Sequence, residues 1–171
     1  MLNKLQKRNN RKSDGFTIIE VMIVLAIAAL ILIIVLFAVP TLQRNSRNTT
    51  MKNDASSIVG GITTYESDNN GTPPTVVDGT GSITIATGTT SSPTNPEKIK
   101  VNGSTKVSVV TTAPSAAGST SGQLPIGTIQ VVAGASCPTS LGGSGNSAAR
   151  AFSVYYATET QGGATLQCVD S

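Results

Sequence analysis

The sequence predicts an α+β fold in which one long amino-terminal helix packs its second half on an antiparallel β-sheet. Three observations lead there. Nineteen consecutive apolar residues run from Val21 to Val39, an amphipathic stripe continues to Tyr65, and short β-branched runs separated by Gly, Ser, Pro and Asn follow from Thr72. At 171 residues the chain has room for one modest domain with appendages.

The amino terminus is basic. Lys4, Lys7, Arg8, Arg11 and Lys12 hold five of the twelve Lys and Arg side chains, and after Gly15 seven basic residues face eight acidic ones. The net charge of +3 therefore describes a leader, and no nucleic-acid footprint spreads over the domain. The chain contains no His, which excludes imidazole acid–base chemistry and histidine metal sites.

As a helix, the nineteen apolar residues reach ~28 Å, enough to span a hydrocarbon core. A cleaved secretory signal has a shorter apolar run and a small-residue cleavage site, whereas Pro40, Thr41, Leu42 and Gln43 follow here. With the basic cluster ahead of the span, residues 1 to 15 are expected in the cytoplasm and residues 41 to 171 outside. Pro40 predicts a kink where the helix leaves the membrane.

Two residues separate this segment from a simple anchor. Glu20 places a carboxylate at the inner edge of the apolar helix, where it costs a few kcal/mol and calls for a partner or a function. Gly15, just before Phe16, lets a protease approach the backbone closely. Together they read GFTIIEVMIVLAIAAL, which resembles the class III signal of type IV prepilins and pseudopilins.

That resemblance implies cleavage between Gly15 and Phe16 by a membrane-embedded prepilin peptidase, N-methylation of Phe16, and retention of the helix. Glu20 would then pair with the amino terminus of a neighbouring subunit. A buried carboxylate and a buried ammonium are each costly to desolvate, so such a pair sets stacking register more than it adds stability. The implied organisation is a leader (1–15), a transmembrane and filament-core helix (16–40), its amphipathic continuation (41–71) and a β-rich head (72–171). The implied partners are further copies of this chain and other pilins, the peptidase, an inner-membrane platform with its motor ATPase acting indirectly, and membrane lipid before assembly. The precursor would be a single-pass cytoplasmic-membrane protein and the product a cell-surface pilus. Two departures from the common pattern stand out: Asp14 occupies the place before Gly15 where a basic residue is frequent, and Ala29 and Phe37 stand where helix breakers are often found.

Beyond Pro40, Met51, Ala55, Ile58, Ile62 and Tyr65 recur at spacings of four and three and form one apolar face, opposite Lys52, Asn53, Ser56, Thr63 and Glu66. Gly60 and Gly61 together cost about 2 kcal/mol of helix propensity, which packing on a sheet would offset. The helix is expected to end at SDNNG, where Asn70 and Gly71 tolerate left-handed angles and Pro73 and Pro74 forbid continuation. This stretch also resembles the second half of the long pilin helix.

The expected strands are SITIAT, EKIKV, TKVSVVTT, GTIQVVA, ARAFSVYYATE and ATLQCVD. Asn102–Gly103 predicts a hairpin between the second and third, with a three-residue loop setting Ile99 opposite Val107 in preference to a two-residue turn. TTSSPTNP and APSAAGSTSGQLP read as loops. Cys137 and Cys168, both in the exported part, read most simply as one disulfide closing a loop of about 30 residues, worth roughly 3 to 4 kcal/mol; two reduced thiols are the alternative. In many pilins a bridge in this place bounds the terminal loop region.

No catalytic residue, cofactor or metal site is expected. The Ser residues lack an evident base, two cysteines make too few metal ligands, and the glycine-rich runs GTGS and GGSGNS lack the strand, helix and Lys of a phosphate loop. Asn48, Asn70 and Asn102 begin Asn-x-Ser/Thr triplets, a weak glycosylation pattern. The function the sequence predicts is therefore structural, a pilin subunit polymerised through its amino-terminal helix. A minor pilin or a competence or secretion pseudopilin would share that terminus. A DNA-uptake or adhesive tip pilin calls for clustered basic or aromatic groups, and Tyr155, Tyr156, Lys98, Lys100 and Lys106 are sparse. A plain signal-anchored protein would keep its leader.

Overall fold

A computed structural model describes residues 15–117, 123–138 and 147–170. The basic leader through Asp14, residues 118–122 of the second expected loop, and most of GGSGNS lie outside the described residues. The described residues hold one helix, α1 (Ile18–Asp68), near their start, and the chain divides after Thr41 into two units, taken in turn.

In the first unit every large apolar side chain from Phe16 to Val39 in the span is exposed. Its helical hydrogen bonds satisfy the backbone, so this surface suits a lipid or protein environment that offers no backbone partners. Pro40 lies inside α1 and does not end it. Lacking an N–H, it leaves the Leu36 carbonyl without its helical donor just before the division between units.

In the second unit, Met51, Ala55, Ile58, Ile62 and Tyr65 are all buried, as the spacing predicts. Glu66, expected on the polar face, is half-buried. Gly61 marks the closest approach of helix to sheet: a Cβ there would lie 2.9 Å from Ile85 Cδ1 and 3.0 Å from Ile99 Cγ2, whereas one on Gly60 would meet nothing. The glycine that weakens the helix is thus the one that admits the sheet. The helix ends as expected, with Asn70 at φ 56° and the Gly71 N–H donating to the Glu66 carbonyl at 2.6 Å.

Among the described residues the sheet has seven strands: β1 (Val76–Thr80), β2 (Ser82–Thr89), β3 (Ser92–Lys100), β4 (Lys106–Val110), β7 (Thr128–Ala135), β8 (Ser147–Thr160) and β9 (Gly163–Asp170). A separate two-stranded parallel pair, β5 (Ala116–Ala117) and β6 (Gln123–Leu124), precedes β7. The order across the main sheet is β3-β2-β1-β4-β7-β8-β9, antiparallel except for the parallel pair β4 and β7.

Three sequence expectations are corrected. The Asn102–Gly103 turn does not join paired strands. Ile99 pairs with Ile83 and Val107 with Gly79, because the β1–β2 hairpin enters between β3 and β4 and bonds to both sides of the turn: Val101 N–H donates to the Gly81 carbonyl at 2.9 Å, and Gly81 N–H to the Thr105 carbonyl at 3.3 Å. Strand β1 was not expected, since VVDGT offers only two apolar side chains before its glycine. TTSSPTNP is largely strand: its Ser92–Pro96 part belongs to β3, whose two prolines are tolerated because β3 is an edge strand.

The run APSAAGSTSGQLP is the connection that the parallel pair β4 and β7 requires, since a hairpin cannot join parallel strands. It contributes Leu124, fully buried with Val132, Tyr155 and Leu166 in a second core, while Phe152, Val154 and Tyr156 join the helix-side core. β8 therefore buries both faces, which explains why AFSVYYA reads as continuously apolar. Cys137 and Cys168 form the disulfide, with Cα atoms 5.8 Å apart.

Candidate leader-cleavage and assembly site

Gly15, Phe16 and Thr17 precede α1 in non-helical backbone and are exposed. Thr17 is the helix N-cap. The Glu20 N–H donates to Thr17 Oγ1 at 3.3 Å and to the Thr17 carbonyl at 3.2 Å, and the Val21 N–H donates to the same carbonyl at 3.3 Å. Thr17 and Glu20 thus stand at the first and last places of a capping box. Phe16, just before the cap, lines one apolar notch with Glu20, Val21, Val24 and Leu25, and Phe16 and Val21 occupy the two sequence places of a hydrophobic staple.

This geometry keeps the Gly15–Phe16 peptide ahead of the first helical turn, in exposed non-helical backbone. It also gives Glu20 a local reason to be tolerated, because a carboxylate in the first turn faces the positive end of the helix dipole. The sequence reading singled out Gly15, Phe16 and Glu20 but not Thr17. The signal was present as Thr-x-x-Glu immediately before an apolar run.

Residues 10–36 match a family model described as the prokaryotic N-terminal methylation motif. The match covers 27 of the chain's 171 residues. The motif brackets Gly15, Phe16, Thr17 and Glu20 and all but the last three residues of the apolar span. No curated protein and no solved structure matches the chain. A methylation motif of this kind implies a prepilin peptidase and pilin assembly partners in general.

Within the second unit, a further cluster ties α1 to the end of β8. Arg47 donates Nε–H and Nη2–H to the two Glu159 oxygens at 2.7 and 2.6 Å, while Asn48 Nδ2 donates to the Glu159 carbonyl at 2.8 Å and Asn48 Oδ1 accepts the Glu159 N–H at 2.7 Å. The hydrogen bond from Arg47 holds the Glu159 carboxyl below the usual range, and the same bond raises Arg47. Burial raises the Tyr156 phenol. A third cluster centres on Asp54, buried in α1. Its Oδ1 accepts the Asn102 N–H at 3.1 Å and its Oδ2 accepts the Thr105 hydroxyl at 2.6 Å, pinning the turn that the β1–β2 hairpin flanks.

Among the described residues no three His, Cys, Asp or Glu side chains come together. The sequence-predicted residues gather in two places, with Gly15, Phe16 and Glu20 at the start of α1 and Cys137 bridged to Cys168 on the sheet.

Proposed function

We propose that this chain is a structural prepilin, cut between Gly15 and Phe16, N-methylated on Phe16 and polymerised through its helix into a surface filament. The observation that carries this reading is the coincidence of the methylation motif at residues 10–36 with a wholly exposed apolar helix whose first turn holds Glu20. As precursor the span sits in lipid; in the filament the same surface packs among helices of other copies, an exchange between two dry environments. The protein is a substrate of the peptidase and the platform, and its role is architectural. Glu20 pairs with the new amino terminus of a neighbour and sets stacking register.

Glu20→Ala in a piliated host tests the assembly role. Export and the amount of folded subunit should match wild type while sheared filament falls at least about tenfold, since losing one member of a buried ion pair costs several kcal/mol per contact. Wild-type filament yield from this variant would remove Glu20 from assembly.

A further inference from the structure

The chain holds two Asn-Gly pairs, Asn70–Gly71 and Asn102–Gly103, and the fold treats them oppositely. In such a pair the glycine nitrogen can attack the asparagine side-chain carbonyl, because no Cβ blocks it, and asparagine is accordingly a thermolabile residue. At Gly71 that nitrogen is committed: its N–H donates to the Glu66 carbonyl at 2.6 Å as part of the helix terminus. At Gly103 the N–H makes no hydrogen bond among the described residues.

The electrophile differs too. Asn102 Oδ1 accepts two hydrogen bonds, from the Ser104 N–H at 3.1 Å and the Ser104 hydroxyl at 2.8 Å, which draw electron density from Cγ. Its Nδ2, the leaving group, has no partner among the described residues. Asn102, Gly103 and Ser104 are all exposed, so water reaches them.

From this geometry we infer that Asn102 is a self-modification site, converting through a succinimide to aspartate and isoaspartate while Asn70 is protected. The Gly103 nitrogen forms a bond to Asn102 Cγ, the Cγ–Nδ2 bond breaks, and ammonia leaves with the glycine amide proton. Water then opens the ring at either carbonyl, and no electrons are exchanged. The product adds a carboxylate to the residue whose backbone N–H is held by Asp54 Oδ1, and the isoaspartyl form lengthens the backbone of the turn bonded to Gly81. The turn that anchors α1 to the sheet thereby records the age of the protein.

The test is incubation of the folded full-length protein at mildly alkaline pH, followed by peptide mapping. Trypsin isolates Val101–Lys106, which contains Asn102, from the peptide containing Asn70. Asn102 should convert at least about tenfold faster than Asn70, since one committed hydrogen bond stands in the way at Gly71, and denaturant should bring the two rates together. Gly103→Ala should halt conversion without disturbing the fold, because a Cβ there meets nothing within 4 Å. Equal rates in the folded protein, faster loss at Asn70, or undiminished conversion in Gly103→Ala would each overturn the inference.

Discussion

Asp54 offers a direct measure of how α1 is fastened to the sheet. Asp54→Ala removes an acceptor that serves the Asn102 N–H at 3.1 Å and the Thr105 hydroxyl at 2.6 Å. Hydrogen bonds to a charged group contribute about 1.5 to 3 kcal/mol each, and a buried donor left unpaired costs about 1 to 3 kcal/mol. Thr105 is only 2% exposed, so water cannot replace its partner, whereas the desolvation of Asp54 itself is relieved. The net expectation is a loss of about 3 kcal/mol, a fall in midpoint of about 6 to 12 °C for a chain of this size. Asp54→Asn, which keeps the shape and one acceptor oxygen, should lose about half of that. Denaturant unfolding of the full-length protein in detergent gives the stability, and hydrogen exchange at the Asn102 amide gives the locality. An Asp54→Ala protein within about 0.5 kcal/mol of wild type, with Asn102 still protected, would refute the idea that this carboxylate pins the turn.

Alanine at the adjacent glycines should give opposite results in the same unfolding assay. Gly60→Ala adds helix propensity in open space and should stabilise by up to about 1 kcal/mol, whereas Gly61→Ala should lose that gain against Ile85 and Ile99, and Gly61→Leu should destabilise by about 1 to 3 kcal/mol. Because Arg47 lowers the folded-state value of Glu159, their bond contributes stability above the ordinary glutamate range and loses it as pH falls through the lower folded value. Stability measured from about pH 5 to about pH 3 should therefore fall more steeply in wild type than in Glu159→Gln, and added salt should shrink the difference.

The sequence made the helix legible because its physics is local. Apolar residues at Met51, Ala55, Ile58, Ile62 and Tyr65 have one geometric solution, and Asn70 and Gly71 can end a helix where most residues cannot. Glu20 and Gly15 stood out because each is anomalous where it lies. Strand order was less legible. Asn102–Gly103 carries a hairpin signal, and the turn does form, with the Thr105 N–H donating to the Asn102 carbonyl at 3.0 Å. Nothing within that turn encodes the insertion of β1 and β2 between its flanking strands, a choice made by the distant contacts of Asp54 and Gly81. The parallel pairing of β4 with β7 was hidden for the same reason, although the length of the 113–125 connection was its trace. The Thr17 cap is a different case, since Thr-x-x-Glu is a local signal that the apolar run beside it obscured.

The most direct measurement is the amino terminus of the protein recovered from a host that carries a prepilin peptidase. Intact mass and terminal sequencing should find a chain that begins at N-methylated Phe16, with Gly15 and everything before it removed. A mature protein that still begins at Met1, in cells that process another prepilin, would contradict the account and leave the apolar helix as a membrane anchor.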